Sequence, residues 1–149
     1  MNARRFGCLM LALVVFGCGQ AVDPNRPKTV PVTGTVTYNG EPVEGATVTF
    51  IATSGQARGA VATTDASGKF SATTFEPGDG AIPGSYKVMI AKTVLEPAGP
   101  DAAPGLDGEE PSDIATDMLP AKYKDATQSG LTAEVQDGSE TVLTFELTD

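Results

Sequence analysis

The chain contains no histidine and no tryptophan, only two cysteines, and ten basic residues against 19 acidic ones. Without histidine, the Ser/His/Asp and Cys/His nucleophilic arrangements and the His-based zinc centres are excluded. No glycine-rich phosphate loop ending in Gly-Lys-Ser/Thr is present. With aromatics at 6%, a core has to be built on Val, Leu, Ile and Ala. The formal charge of −9 disfavours a nucleic-acid partner, because that affinity comes from Lys and Arg neutralising phosphates. An acidic balance of this kind keeps a surface soluble and resists association.

What is there begins with an address. Asn2-Ala3-Arg4-Arg5 forms a short basic region, Phe6 to Phe16 is almost wholly apolar, and Gly17-Cys18 follows. The apolar run is about half of the roughly 20 residues that a membrane-crossing helix needs, so residues 1–17 read as a signal peptide. Val15-Phe16-Gly17-Cys18 resembles the lipobox of bacterial lipoprotein signal peptides. The resemblance implies cleavage before Cys18 and acylation of its thiol as a thioether with diacylglycerol, with fatty acyl (palmitate-type) chains holding the protein to the membrane. Cys8 has almost no apolar run before it and leaves with the signal peptide. Losing Arg4 and Arg5 from the ten basic residues leaves eight against 19 acidic, a net −11. Gly19 is not the Asp that marks inner-membrane retention in known sorting systems, so the expected location is the cell envelope, with the outer membrane favoured.

Residues 18–29 carry Pro24, Asn25 and Pro27 without hydrophobic period and read as a lipidated tether. Strand patterning follows. Val30, Val32, Val36 and Tyr38 alternate with Pro31, Thr33, Thr35 and Thr37, with Gly34 placed to mark a bulge. Asn39-Gly40 is a tight-hairpin signal, since both central residues of that turn need positive φ. Further strands are expected around Ala46–Ala52, Ala57–Thr64 and Lys69–Phe75, with Asp65-Ala66-Ser67-Gly68 as a compact turn. Tyr86, Val88 and Ile90 mark a fifth, Leu131, Ala133 and Val135 a sixth, and Leu143, Phe145 and Leu147 the last. Seven short strands separated by turns predict an all-β sandwich over residues 30–149.

One stretch departs from that pattern. Between Thr93 and Ala121 there are seven acidic residues, no basic one, and Pro97, Pro100, Pro104 and Pro111. Residues 95–130 are therefore expected to form a long, Pro-rich, acidic and mostly irregular insertion before the last two strands. Asp107, Glu109, Glu110 and Asp113 are weak calcium candidates. Their spacing matches no EF-hand loop, and proline-rich acidic segments commonly stay solvated. No cofactor is expected.

Val32-Thr33-Gly34-Thr35-Val36, with Gly40-Glu41-Pro42-Val43-Glu44-Gly45-Ala46-Thr47-Val48, resembles the opening of carboxypeptidase regulatory-like domains. Thr64-Asp65-Ala66-Ser67-Gly68-Lys69-Phe70 and Pro83-Gly84-Ser85-Tyr86-Lys87-Val88 carry the same likeness. Leu119-Pro120-Ala121-Lys122-Tyr123 and Ser129-Gly130-Leu131-Thr132 look like small lipoproteins of planctomycete bacteria. The resemblance implies a seven-stranded prealbumin-like (transthyretin-like), Ig-like sandwich with an accessory role, and it assigns no binding residues. The zinc centre suggested by the family name, and hydroxyisourate hydrolysis by transthyretin-like enzymes, both require the missing histidine.

The expectation is thus a secreted, membrane-anchored, non-enzymatic binding or adhesion module of the envelope. Its partners would be the membrane through the lipid and an envelope protein or glycan. The competing expectations are a structural subunit of an envelope assembly and, more weakly, a carboxylate-dependent hydrolase. For the latter, Glu41 with Glu44 or Glu109 with Glu110 would need a fixed separation on a rigid scaffold. Ser85 and Lys87 share a strand face, but lack any oxyanion-stabilising neighbour in the sequence.

Overall fold

The computed structural model describes residues 25–53, 57–96 and 114–149. The described chain is all-β apart from one 3-10 turn at Ala121–Lys124. Ten strands run β1 Val32–Tyr38, β2 Glu41–Pro42, β3 Thr47–Ala52, β4 Ala60–Thr63, β5 Lys69–Ser71, β6 Gly84–Ala91, β7 Thr93–Glu96, β8 Ile114–Asp117, β9 Thr132–Val135 and β10 Thr141–Leu147. One sheet is centred on β1, which pairs with β10 on one side and with both β2 and β5 on the other. The second has the order β4-β3-β6-β9, and β7 with β8 forms a separate two-stranded ribbon. The two larger sheets face each other as a β-sandwich.

The period of two is what builds the core. Val32 and Val36 point inward from β1, Val48 and Phe50 from β3, Tyr86, Val88 and Ile90 from β6, and Phe145 and Leu147 from β10, all buried. Phe50 connects the layers. Its ring lies 6.1 Å from Phe70 and 6.1 Å, edge-on, from Tyr86, and Phe70 in turn stacks on Phe145. Buried polar groups are satisfied: the Thr64 hydroxyl accepts the Ala46 N–H at 2.8 Å, and the Tyr86 hydroxyl donates to the Ile82 carbonyl at 2.6 Å. The Ser129 hydroxyl donates to the Val88 carbonyl at 2.7 Å.

The expected turns form as read. Asn39 and Gly40 take φ of 51° and 88° between Tyr38 and Glu41, which are paired across the hairpin. In the Asp65–Gly68 turn, the Asp65 carboxylate accepts from the Ser67 N–H, the Ser67 hydroxyl and the Lys69 N–H. Those bonds, led by the Ser67 hydroxyl, hold its pKa below the usual carboxylate value.

Two expectations are corrected. Gly34 is not a bulge: the register from Val32↔Thr141 to Tyr38↔Leu147 is unbroken. It is an inward position whose space the Phe70 ring fills, so that a Cβ there would lie 2.5 Å from Phe70 Cζ. The third and fourth strands are shorter than expected, at Ala60–Thr63 and Lys69–Ser71. Ala72 still donates its N–H to the Val32 carbonyl of β1, and Thr73 then crosses to the second sheet, where it bridges to Val61 of β4.

Within the described parts of 95–130, short ordered elements punctuate otherwise irregular chain. Thr93–Glu96 pairs with Ile114–Asp117 in antiparallel register, and Leu119, Tyr123 and Ser129 are buried. The alternation missed this because every β7 side chain, and Ala115, Thr116 and Asp117 of β8, is exposed, so no buried face marks the strands. Within the segment read as tether, Arg26 pairs with Glu76 and Asp79 of the sandwich.

Candidate functional site: the docked N-terminal segment and the far end of the sandwich

The strand directions give the sandwich two distinct ends. β1 and β10 run parallel, so Val30, Val32 and Thr141 share one end, while Tyr38, Asn39, Leu147 and Asp149 share the other. β6 begins at the first end, where Ala81 bridges to Val30, and finishes at the second, where the β7–β8 ribbon emerges. The chain therefore enters at one end and presents its ribbon at the opposite one.

At the entry end, the loop 73–80 is built as a receptor for the incoming segment. The Asp79 carboxylate accepts the Thr74 N–H at 2.7 Å and the Phe75 N–H at 3.1 Å, which closes the loop around it. The Thr74 hydroxyl donates to the Gly80 carbonyl at 2.8 Å. The Arg26 guanidinium then donates to Asp79 at 2.9 Å and to Glu76 at 2.6 Å, while lying 4.3 Å from the centroid of the Phe75 ring. Two carboxylates and a ring face are an arrangement that suits the planar, multiply donating guanidinium. The Glu76 bond and the two carboxylate charges raise the Arg26 pKa further. Val30 completes the docking with reciprocal bonds to Ala81 of 2.8 and 3.0 Å. Gly80, at φ 88°, passes so close to the Val30 carbonyl that any Cβ would collide with it.

At the far end, the Tyr38 hydroxyl donates to the Asp149 carboxylate, and Asn39 Nδ2 donates to the same group at 3.2 Å. Asp149 is thereby held below the usual carboxylate range, first by the Tyr38 bond and then by Asn39. The base of the ribbon is tied by Asp117, which pairs with Lys124 and accepts from Thr93 Oγ1 at 2.9 Å. Between ribbon base and sheet lies an open depression of about 240 Å³ lined by Tyr38, Glu41, Pro42, Val43, Lys92, Met118 and Leu119. It brings the Lys92 cation, the Glu41 carboxylate and the Tyr38 side chain together beside Pro42, Val43, Met118 and Leu119.

Cys18, the signal peptide and the calcium candidates Asp107, Glu109, Glu110 and Asp113 lie outside the described residues. Among the described residues no group of three or more Asp, Glu, His or Cys side chains converges as a metal site. No described helix is long and apolar enough to cross a membrane. Glu41 and Glu44 are both exposed, and so are Ser85 and Lys87, which lie on the outer face of the second sheet. The structure gives neither pair a buried setting. The Arg26 clamp was not found from sequence. Its partners are 50 and 53 residues away, and the only local signal was a lone arginine before a proline.

Comparison with known proteins adds little about activity. The family model described as "Domain of unknown function (DUF6795)" matches residues 32–84, about a third of the chain, from β1 to the start of β6. No curated protein matches the sequence. Among solved structures, a 9R-lipoxygenase from Cyanothece PCC8801 is similar at a TM-score of 0.40 and 10% identity. That match takes in 88% of this chain but only 18% of the lipoxygenase.

Proposed function

We propose that this chain is a bacterial envelope lipoprotein, anchored through acylated Cys18, whose sandwich is a non-catalytic binding module displayed away from the membrane. The observation that carries this reading is the placement of the ends. Arg26–Val30 is docked at the entry end, and the Tyr38–Glu41 hairpin and the ribbon stand at the opposite end. In a chain anchored at Cys18, the short sequence interval between Cys18 and Arg26 keeps the entry end near the membrane, so the far end faces outward. The resemblance to carboxypeptidase regulatory-like domains supports an accessory role, as does the lack of any histidine. The favoured location is the outer membrane, and the partner is an envelope protein or glycan.

The test is metabolic labelling with a fatty-acid analogue in cells making the native chain or Cys18→Ser. The native chain is expected to take up label and sediment with membranes, and the variant to do neither. Label on the variant, or an unlabelled native chain, refutes the anchor. Cross-linking in the same cells then identifies what the far end meets.

A further inference from the structure

Sheet edges are normally kept short, covered, or guarded by Lys and Pro, because their unpaired N–H and C=O groups template further strands. In the two larger sheets, every edge strand but one follows that practice. β2 has two residues and β5 three. β4 is closed by Thr73, which exchanges bonds of 2.9 and 2.8 Å with Val61. β9 has four residues and carries Glu134. β10 does not follow it. It is a seven-residue strand without Pro, Lys, Arg or Gly, and among the described residues nothing pairs with its outer side.

Which groups face outward follows from parity. The Thr141 N–H donates to the Pro31 carbonyl and the Leu147 carbonyl accepts from Asn39, so the odd positions bond inward to the β1 side. The N–H and C=O groups of Val142, Thr144 and Glu146 therefore point away from the sheet. Val142 is also the most exposed large apolar side chain described, at 73%. An open backbone edge and an apolar side chain on its rim coincide on one strand.

Charge selects the occupant. From Asp125 to the C-terminus there are six acidic residues and no Lys or Arg. Glu140 and Glu146 flank the edge, while Asp149 beyond it is held by Tyr38 and Asn39 and lies within the field of Lys122. Within the sheet itself the nearest cation, Lys69, is two strands away on β5. A second copy would bring the same acidic edge against itself. In a two-fold antiparallel pair it would also invert one entry end, which two anchors in one membrane forbid. That last point rests on the lipoprotein reading, whereas the edge and its charge do not.

We propose that the outer edge of β10 is a strand-addition site for an extended, lysine- or arginine-bearing segment of another polypeptide. The incoming backbone pairs with Val142, Thr144 and Glu146, and its cations lie beside Glu146 on the outer face.

The experiment titrates the full chain, in mild detergent, with the synthetic peptide Lys-Val-Lys-Thr-Lys-Val-Lys and with its glutamate-for-lysine counterpart. Amide hydrogen exchange is followed residue by residue. The Val142, Thr144 and Glu146 amides are expected to exchange quickly in the free protein and to slow about tenfold or more with the lysine peptide only. Binding is expected to weaken as salt screens the charges. Thr144→Pro removes one outward N–H and leaves the β1 side intact, so affinity is expected to fall about tenfold or more with an unchanged unfolding midpoint. Glu146→Lys, which keeps the backbone, is expected to weaken binding and covers the case in which the proline variant fails to fold.

The proposal is overturned if the lysine peptide does not bind, or if both peptides bind alike. It is also overturned if binding leaves those three amides unchanged, if they are already slow in the free chain, or if concentration-dependent dimerisation protects them. Cys18→Ser is expected to leave peptide binding untouched, so loss of the anchor and loss of the edge site are read separately.

Discussion

Gly34→Ala tests the packing of the sandwich at its tightest described point on β1. Gly34 sits in the middle of β1 without a positive φ, so alanine meets no conformational penalty there. In a strand of ordinary space, replacing glycine would stabilise the chain by roughly 0.5–1 kcal/mol, through a less flexible unfolded state. Here the added Cβ lies 2.5 and 2.7 Å from two Phe70 ring atoms, and also meets the Leu143 carbonyl. Carbon atoms in contact prefer about 3.5–4.0 Å, so the ring would have to withdraw by roughly 1 Å. It has nowhere to go, because Phe70 is stacked on Phe145 and tilted against Phe50, each at 6.1 Å. Overpacking of this kind costs about 1–3 kcal/mol. With a backbone carbonyl as the second obstacle, the upper end is expected, about 3 kcal/mol.

Urea unfolding followed by circular dichroism measures it. Phe70→Leu in the same background completes a cycle, and relief of the clash is expected to make the double variant about 1 kcal/mol or more better than additive. A neutral or stabilising Gly34→Ala, or strict additivity with Phe70→Leu, would refute the packing argument.

Thr64→Val removes the hydroxyl that receives the buried Ala46 N–H, and is expected to cost about 1–3 kcal/mol in the same assay; a cost under about 0.5 kcal/mol would mean that the N–H finds another acceptor. Arg26→Ala is expected to release the N-terminal segment while leaving the core intact. Faster amide exchange at Val30 and Ala81, with unchanged exchange at Val88 and Ile90, is the signature; uniform acceleration would make the clamp part of the global fold instead. Asp65, Asp125 and Asp149 all have pKa values below the usual carboxylate value, each through hydrogen bonds led by a side-chain hydroxyl. The stability they lend is present above the unfolded carboxyl pKa of about 4 and is lost as pH falls through their lower folded values. The urea midpoint should thus drop on acidification below about pH 4, and a flat profile down to pH 2 would contradict the assignment.

Short-range order was legible in the residues themselves. Valines and threonines alternating from Val30 to Thr37 name a half-buried strand, because side chains of an extended chain face opposite ways at every step. Asn39-Gly40 names its own turn, because few residue types accept positive φ. The far-end hairpin, and the core positions from Val48 to Ile90 on β3 and β6, therefore follow from local chemistry alone.

Pairing is another matter. That β10 lies parallel to β1, more than a hundred residues earlier, is decided by which apolar faces close over Phe50 and Phe70. No local preference encodes that choice. The same holds for Gly34, whose role is visible only once Phe70 arrives above it, and for Leu119 and Tyr123, core residues inside a stretch whose composition reads as loop. Arg26 is the sharpest instance, since its meaning depends on two carboxylates and a ring delivered by a distant loop. The sequence by itself determined strand periodicity, turn positions, the excess of negative charge and the chemistry available. The tertiary structure decided which edge stays open, which end the chain enters by, and which charges meet, because those depend on contacts between segments that local conformational preference cannot reach.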